Sequence, residues 1–168
     1  GDRELPYPSG LPSKGNPKIV VLLINFPDYG PHNPPAVFEN QLFGEGNPAG
    51  FPHDSLRKYY ERSSYNDLSI QGTVLGWYQA EHNRDYYGKD DFSGIPVLFE
   101  EAFRHFDAEH DFSVYDQNGD GIVDSFFVYY AGPNTGWGSV WWAYNTLWNY
   151  ISSNPDFTVD GKKLGNFS

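Results

Sequence analysis

Runs of apolar residues divide the chain into strand-like and helix-like segments. Residues 18–26 are almost continuously apolar and rich in β-branched side chains, which predicts a strand buried on both faces. Residues 123–131 predict a second core strand of the same kind. Residues 68–78 alternate roughly between apolar and polar positions, so they predict one long strand or a hairpin bent at Gly72 or Gly76.

Helical spacing appears between these strands. The clearest helix is predicted over 95–106, where apolar residues form one continuous stripe. Shorter helices are predicted over 37–42 and from Leu56 onwards, and Asp54 or Ser55 can supply the N-cap of the second one. Helices that alternate with strands indicate a layered α/β or α+β domain.

The two ends of the chain are less regular. Residues 1–17 contain four prolines and three glycines, which predicts an extended leader or linker before a single domain over 18–168. Residues 140–151 are dense in Trp and Tyr without a decisive period. An Asp-Gly pair within 158–164 predicts a tight hairpin.

The segment before the second core strand, residues 116–124, has the ligand spacing of an EF-hand-type calcium loop, and we call it the acidic loop. The predicted ligands are the side chains of Asp116, Asn118, Asp120 and Asp124 and the backbone carbonyl of Ile122. Gly121 occupies the position of the sharp turn, whereas Phe127 stands where an EF-hand has a bidentate Glu. An acidic turn without a metal is the alternative interpretation, because Asp, Asn and Gly also favour turns. The missing Glu and the strand that follows indicate a structural calcium clip that does not switch.

Composition narrows the classes of function. Asp and Glu total 22 against 11 Lys and Arg, so the formal net charge of −11 disfavours nucleic acid as a partner. The chain has no cysteine, which excludes disulfides, thiolate metal sites and a cysteine nucleophile. No apolar run reaches the roughly 20 residues that span a bilayer. The absence of methionine and of a signal peptide indicates a processed or cut chain.

An ordered set of segments resembles the first half of the catalytic domain of immune inhibitor A-like secreted zinc metallopeptidases. The similarity runs from about residue 18 to about residue 132, and more loosely to residue 164. The matching segments are 20–28, 56–60, 63–65, 68–78, 86–88, 111–112, 115–124 and 127–132. Residues 140–144 depart from the family pattern, in which a Trp is followed shortly by a His.

This resemblance implies a partial zincin-like domain, with a twisted mixed sheet, packed helices and the acidic loop as a calcium site. It also implies a secreted bacterial endopeptidase that acts on protein or peptide substrates. In this family, zinc is held by a His-Glu-x-x-His helix, whose Glu activates the bound water. The chain lacks that motif, so it contains no zinc ligand that can be assigned. We therefore expect an N-terminal subdomain that is inactive alone and packs against the remainder of its own catalytic domain.

Two other interpretations remain open. Glu101 and His105 lie four residues apart on the helix over 95–106, a spacing that suits one metal ion, although a solvated acid and histidine beside an apolar stripe are more common. The aromatic residues between 137 and 150 suggest stacking on sugar rings. A calcium-dependent carbohydrate- or protein-binding module is therefore the alternative function. Packing of these aromatic residues into a core is the simpler explanation of their number.

Overall fold

The computed structural model of this protein describes residues 10–46 and 54–168. Six strands form its sheet: β1 (Lys18–Asn25), β2 (Gln71–Gln79), β3 (Ile122–Tyr130), β4 (Thr146–Leu147), β5 (Thr158–Val159) and β6 (Lys162–Phe167). The helices are α1 (Pro35–Leu42), α2 (Leu56–Ser63), α3 (Arg84–Gly88), α4 (Gly94–Asp107) and α5 (Trp148–Ile151), with a 3₁₀-helix over Phe112–Tyr115. None of these helices is long and apolar enough to cross a membrane.

The strands form one mixed sheet in the order β2-β1-β3-β6-β4, with β5 paired to β6. β1 is parallel to both β2 and β3, and β3 is parallel to β6. β4 and β5 are both antiparallel to β6. Parallel neighbours need crossover connections, which here contain α1 and α2 between β1 and β2, and α3 and α4 between β2 and β3. The fold is therefore a mixed α/β arrangement, as the alternation of elements predicts.

β1 is covered on both faces, which confirms the prediction from its continuous apolar run. Val20, Leu22 and Ile24 face a large core that contains the apolar stripe of α4. The intervening residues of β1 face a smaller core formed with α1 and α2. Phe99 of α4 packs edge-on against Phe167, with 4.9 Å between ring centroids, so the helix is anchored to β6.

β2 is a single strand, so the long-strand alternative is correct and no turn occurs at its glycines. A Cβ at Gly72 would overlap the carbonyl oxygen of Ile19 on β1, which explains why a glycine stands there. Residues 1–9 of the predicted leader lie outside the described residues. In its second part, Gly15 forms a parallel bridge with Leu68, so the chain lies along the entry to β2.

Candidate functional site

The acidic loop connects the 3₁₀-helix to β3, and its fold is fixed by its own side chains. The Asp116 carboxylate accepts hydrogen bonds from the backbone N–H groups of Gly119 at 2.8 Å and Asp120 at 3.0 Å through Oδ1. Its Oδ2 accepts from Gly121 N–H at 2.9 Å. Gly121 has a φ of 87°, which favours a residue without Cβ. One carboxylate therefore holds the turn that the spacing predicts.

The turn brings three carboxylates together. Asp116, Asp120 and Asp124 each present an oxygen within 4.8 Å of the other two. Asn118 also lies at this site, because its Oδ1 accepts from Asp120 N–H at 2.9 Å and its Nδ2 donates to the Asp120 carboxylate at 3.1 Å. Ile122, the fifth predicted ligand, begins β3 directly after the turn. An arrangement of hard oxygen donors such as this has the chemistry that calcium prefers.

The three carboxylates differ in their surroundings. Asp124 is only 2% exposed, and burial raises its pKa although Gln117 donates hydrogen bonds to it. Burial also acts against ionisation of Asp116, but hydrogen bonds from Lys162 and from Gly121 N–H outweigh it and hold the pKa of Asp116 below its ordinary value. The loop therefore concentrates negative charge and compensates only part of it.

Lys162 is a member of this site that sequence reasoning missed. Its Nζ lies 2.7 Å from Oδ2 of Asp116, whose side chain has no exposed surface. The two residues are 46 positions apart, and the β5–β6 hairpin brings them together. Asp160 in the same hairpin accepts a hydrogen bond from Phe112 N–H at 2.6 Å. No local spacing signals either contact, because both depend on the tertiary position of the hairpin.

In the described residues, Glu101 and His105 belong to no group of three or more metal-ligating side chains. The Glu101 carboxylate accepts hydrogen bonds from the hydroxyl groups of Tyr78 at 3.2 Å and Tyr87 at 2.7 Å. Burial, together with this carboxylate, raises the pKa of both tyrosines. His105 packs its ring against Tyr78, with 5.0 Å between centroids. These four side chains are a packed polar cluster at one edge of α4.

Histidines contribute to no metal-binding cluster in the part of the chain that the structure describes. Among these residues, the His, Asp and Glu side chains whose ligand atoms lie close enough together to hold one metal ion are the three carboxylates of the acidic loop. His110 donates to or accepts from the Tyr115 hydroxyl at 2.9 Å. His53 lies outside the described residues.

The aromatic residues between 137 and 150 divide into core and surface. Trp141 and Trp148 are 6% and 1% exposed and belong to the core on the α4 side. Trp137 is 88% exposed and Trp142 is 37% exposed. A cavity of about 410 Å³, which we call the aromatic pocket, lies between this segment and the ends of β3 and β6. Its walls include a buried arginine, Arg84, that sequence reasoning did not single out.

The chain is similar to known metallopeptidases over most of its length. Residues 9–163 match the family described as immune inhibitor A peptidase M6, catalytic domain. The chain is also similar to the pre-pro-metalloprotease PrtV of two Vibrio cholerae serotype O1 strains, M66-2 and ATCC 39315 / El Tor Inaba N16961. Each is 26% identical over an alignment 202 positions long, which covers 92% of this chain and 22% of the relative. The chain therefore spans about a fifth of the length of these curated relatives.

Proposed function

Because this chain belongs to the immune inhibitor A peptidase M6 family, we propose that it forms the N-terminal part of the catalytic domain of a secreted bacterial zinc endopeptidase. The observation that carries this proposal is the family match over residues 9–163, nearly the whole chain. A metallopeptidase domain hydrolyses peptide bonds, so proteins or peptides are the substrate class. The mixed sheet supports a zincin-like fold, in which these strands form the scaffold beneath the active site.

The residues of this chain do not fit a zinc site. A zinc peptidase of this type needs two histidines one helical turn apart and a Glu beside the bound water. The sequence contains no His-Glu-x-x-His, and in the described residues no histidine shares a metal-binding cluster. The proposed zinc ligands therefore belong to the remainder of the catalytic domain in a longer protein. By this proposal, residues 18–168 supply scaffold and do not hydrolyse peptides alone.

The residues of the acidic loop do fit calcium. They offer three carboxylates and an amide oxygen on a short turn, and Asp124 is buried at the start of the central strand β3. A bound divalent cation would neutralise carboxylates that Lys162 only partly compensates. We therefore assign this loop the role of a clip that fixes the start of β3 against the β5–β6 hairpin.

Thermal unfolding tests the calcium assignment. Calcium at about 100 times its Kd is expected to stabilise the chain by about 2.7 kcal/mol, relative to the chain in EDTA. For a domain of this size, that corresponds to a rise in Tm of about 5–10 °C. Asp120→Ala should abolish the rise, whereas Asp107→Ala, at an exposed aspartate on α4, should preserve it. Identical melting curves in EDTA and calcium for the unmodified chain would show that the loop binds no calcium.

The catalytic part of the proposal is tested on the natural protein that contains this chain. That protein should cleave casein, lose the activity to 1,10-phenanthroline, and regain it when zinc is restored. Full cleavage after complete removal of zinc would contradict a zinc mechanism. Because calcium binding is measured on the shorter chain, failure of one part of the proposal leaves the other part testable.

A calcium-dependent carbohydrate- or protein-binding module remains the second candidate function. The exposure of Trp137, at 88%, is the observation that favours it, because an exposed indole face can stack on a sugar ring. The burial of Trp141 and Trp148 reduces the surface available for such binding. Retention on a polysaccharide that is lost in Trp137→Ala would favour the module over the peptidase scaffold.

A further inference from the structure

Arg84 is a buried cation in the wall of the aromatic pocket. It begins α3 and is only 4% exposed. Its guanidinium carbon lies 4.3 Å from the ring centroid of Trp141 and 5.3 Å from that of Tyr29. Both contacts are cation–π interactions, which stabilise the positive charge without neutralising it.

The hydrogen-bonding capacity of this guanidinium is mostly unused. Nη2 donates to the carbonyl oxygen of Pro133 at 2.6 Å, whereas Nε is buried and has no acceptor among the described residues. No carboxylate in the described residues lies within ion-pair distance of Arg84. The nearby Asp28 accepts from the backbone N–H of Arg84 instead, at 3.0 Å. Burial of an unpaired charge is costly, and it lowers the pKa of this arginine.

The pocket beside Arg84 has the size of a small-molecule site. Its volume of about 410 Å³ falls within the usual range for such sites, and its walls include Tyr130, Trp141, Tyr144 and Phe167. Gly132 also lines the pocket, with a φ of 103°. A Cβ at Gly132 would lie 3.0 Å from Nη1 of Arg84, so the glycine leaves space next to the guanidinium.

We propose that the aromatic pocket binds a carboxylate carried on an aromatic or aliphatic group, with Arg84 as its counter-ion. A carboxylate supplies the acceptor oxygens and the negative charge that the guanidinium lacks, and arginine recognises this group in a planar geometry. The aromatic walls supply contacts for the apolar body of the ligand. This site involves neither the acidic loop nor zinc, so it stands independently of the proposed peptidase.

A pair of probes with the same shape tests the proposal. We expect 3-phenylpropanoate to bind about tenfold more tightly than 3-phenylpropanamide, because only the acid brings a negative charge that pairs with the guanidinium. Acetate, which lacks the apolar body, should bind more weakly than 3-phenylpropanoate. In ¹H–¹⁵N spectra of the unmodified chain, the Nε–H resonance of Arg84 should shift more with the acid than with the amide at the same concentration. Equal binding of acid and amide, or binding of neither, would overturn the proposal.

Variants locate the site without removing Arg84, whose loss could unfold the chain. Trp142→Ala removes a half-exposed wall of the pocket and should weaken binding of 3-phenylpropanoate. Trp137→Ala makes the same change at an exposed residue that does not line the pocket. The affinity of this variant for 3-phenylpropanoate should therefore equal that of the unmodified chain. Equal affinities in both variants would place the ligand elsewhere and contradict the proposal.

A second pair of probes distinguishes the sources of the carboxylate. The blocked tripeptide N-acetyl-Phe-Glu-Phe-amide is compared with the same peptide containing Gln in place of Glu. Preferential binding of the Glu peptide identifies an acidic polypeptide segment as a ligand. If 3-phenylpropanoate binds and the Glu peptide does not, the ligand is a free carboxylic acid.

Discussion

Lys162 places a positive charge at the edge of the acidic loop, where a divalent cation would have to be accommodated. Its ammonium group contacts Asp116 at 2.7 Å, so it would compete with the proposed calcium ion for that carboxylate. We expect the Lys162→Met variant to bind calcium about tenfold more tightly than the unmodified chain does. The Lys162 ammonium group and a calcium ion in the loop would repel each other by more than about 1 kcal/mol, and the variant removes this repulsion. Without calcium, the unfolding free energy of the variant should be about 1–3 kcal/mol lower than that of the unmodified chain, because the buried carboxylate of Asp116 loses its partner.

Titration calorimetry and urea unfolding check both halves of this prediction. Lys163→Met is the matched control, because Lys163 pairs with Asp156, an exposed residue outside the loop. An unchanged calcium Kd in Lys162→Met would mean that the ammonium group does not compete for the loop.

His110 gives the protein a specific sensitivity to acid. Burial lowers its pKa below the ordinary value of 6.5, although Asp111 and Asp160 act in the opposite direction. As the pH falls towards and below the ordinary pKa of histidine, His110 takes up its proton in the unfolded chain before it does so in the folded chain. The folded state therefore loses stability. His110→Gln should therefore lose less unfolding free energy than the unmodified chain between about pH 7.5 and about pH 5.5.

Urea denaturation at several pH values measures this difference. His105→Gln makes the same substitution at an exposed histidine and should retain the full acid sensitivity. If both variants lose stability in parallel with the unmodified chain, His110 is not responsible for the sensitivity.

At the scale of single residues, the sequence could predict what depends on local spacing. The regular spacing of side chains in the acidic loop predicts its tight turn and its converging carboxylates. Lys162 and Arg84 were not found, because their significance arises from partners distant in sequence. Arg84 meets Trp141 only after α3 and the segment beyond β3 have packed together.

At the scale of elements, the N-cap of α2 is a point where local chemistry sets stability. Ser55 Oγ accepts from Lys58 N–H at 3.1 Å and donates to the carbonyl oxygen of Gly44 at 2.7 Å. Ser55 is 1% exposed, so water cannot replace these bonds. Ser55→Ala should therefore lower the unfolding free energy by about 1–2 kcal/mol.

Ser93→Ala provides the control for this cap. Ser93 precedes α4 but its side chain makes no cap hydrogen bond, and it is exposed. Its replacement should change the free energy of unfolding by about 0.5 kcal/mol or less. Equal losses in the two variants, measured by urea denaturation, would contradict a specific contribution from the α2 cap.

The sequence pattern predicts α4 and β3 to within one residue at each end, whereas it does not predict the short elements α3 and β4. The predicted helix over 95–106 is α4, Gly94–Asp107, and the predicted strand over 123–131 is β3, Ile122–Tyr130. α3, with five residues, and β4, with two, are too short to show a period. The hairpin over 158–164 was predicted from its turn, but the parallel pairing of β6 with β3 is a tertiary feature.

At the scale of the whole molecule, the described residues form one mixed sheet with helices packed on it, and no histidine among them belongs to a metal-binding cluster. The two cores fix β1 and β3 in the centre of the sheet, and the acidic loop lies where β3 begins. In the described residues, the acidic loop is where three ligating side chains come together, and all three are carboxylates. By the proposed function, stability and catalysis belong to different parts of the enzyme: a calcium clip in this chain and a zinc site in the remainder of the catalytic domain.

This division predicts that the 168-residue chain does not cleave casein, with or without added zinc. Zinc hydrolysis requires an ion held by protein ligands with one position open to water, and the chain lacks the His-Glu-x-x-His that would supply them. After dialysis against both metals, we expect the purified chain to retain calcium and no stoichiometric zinc by elemental analysis. By the proposed function, a longer natural protein that contains this chain cleaves casein, and it is assayed in parallel as the positive control. Casein cleavage by the short chain that depends on added zinc would show that it contains a metal centre of a different kind.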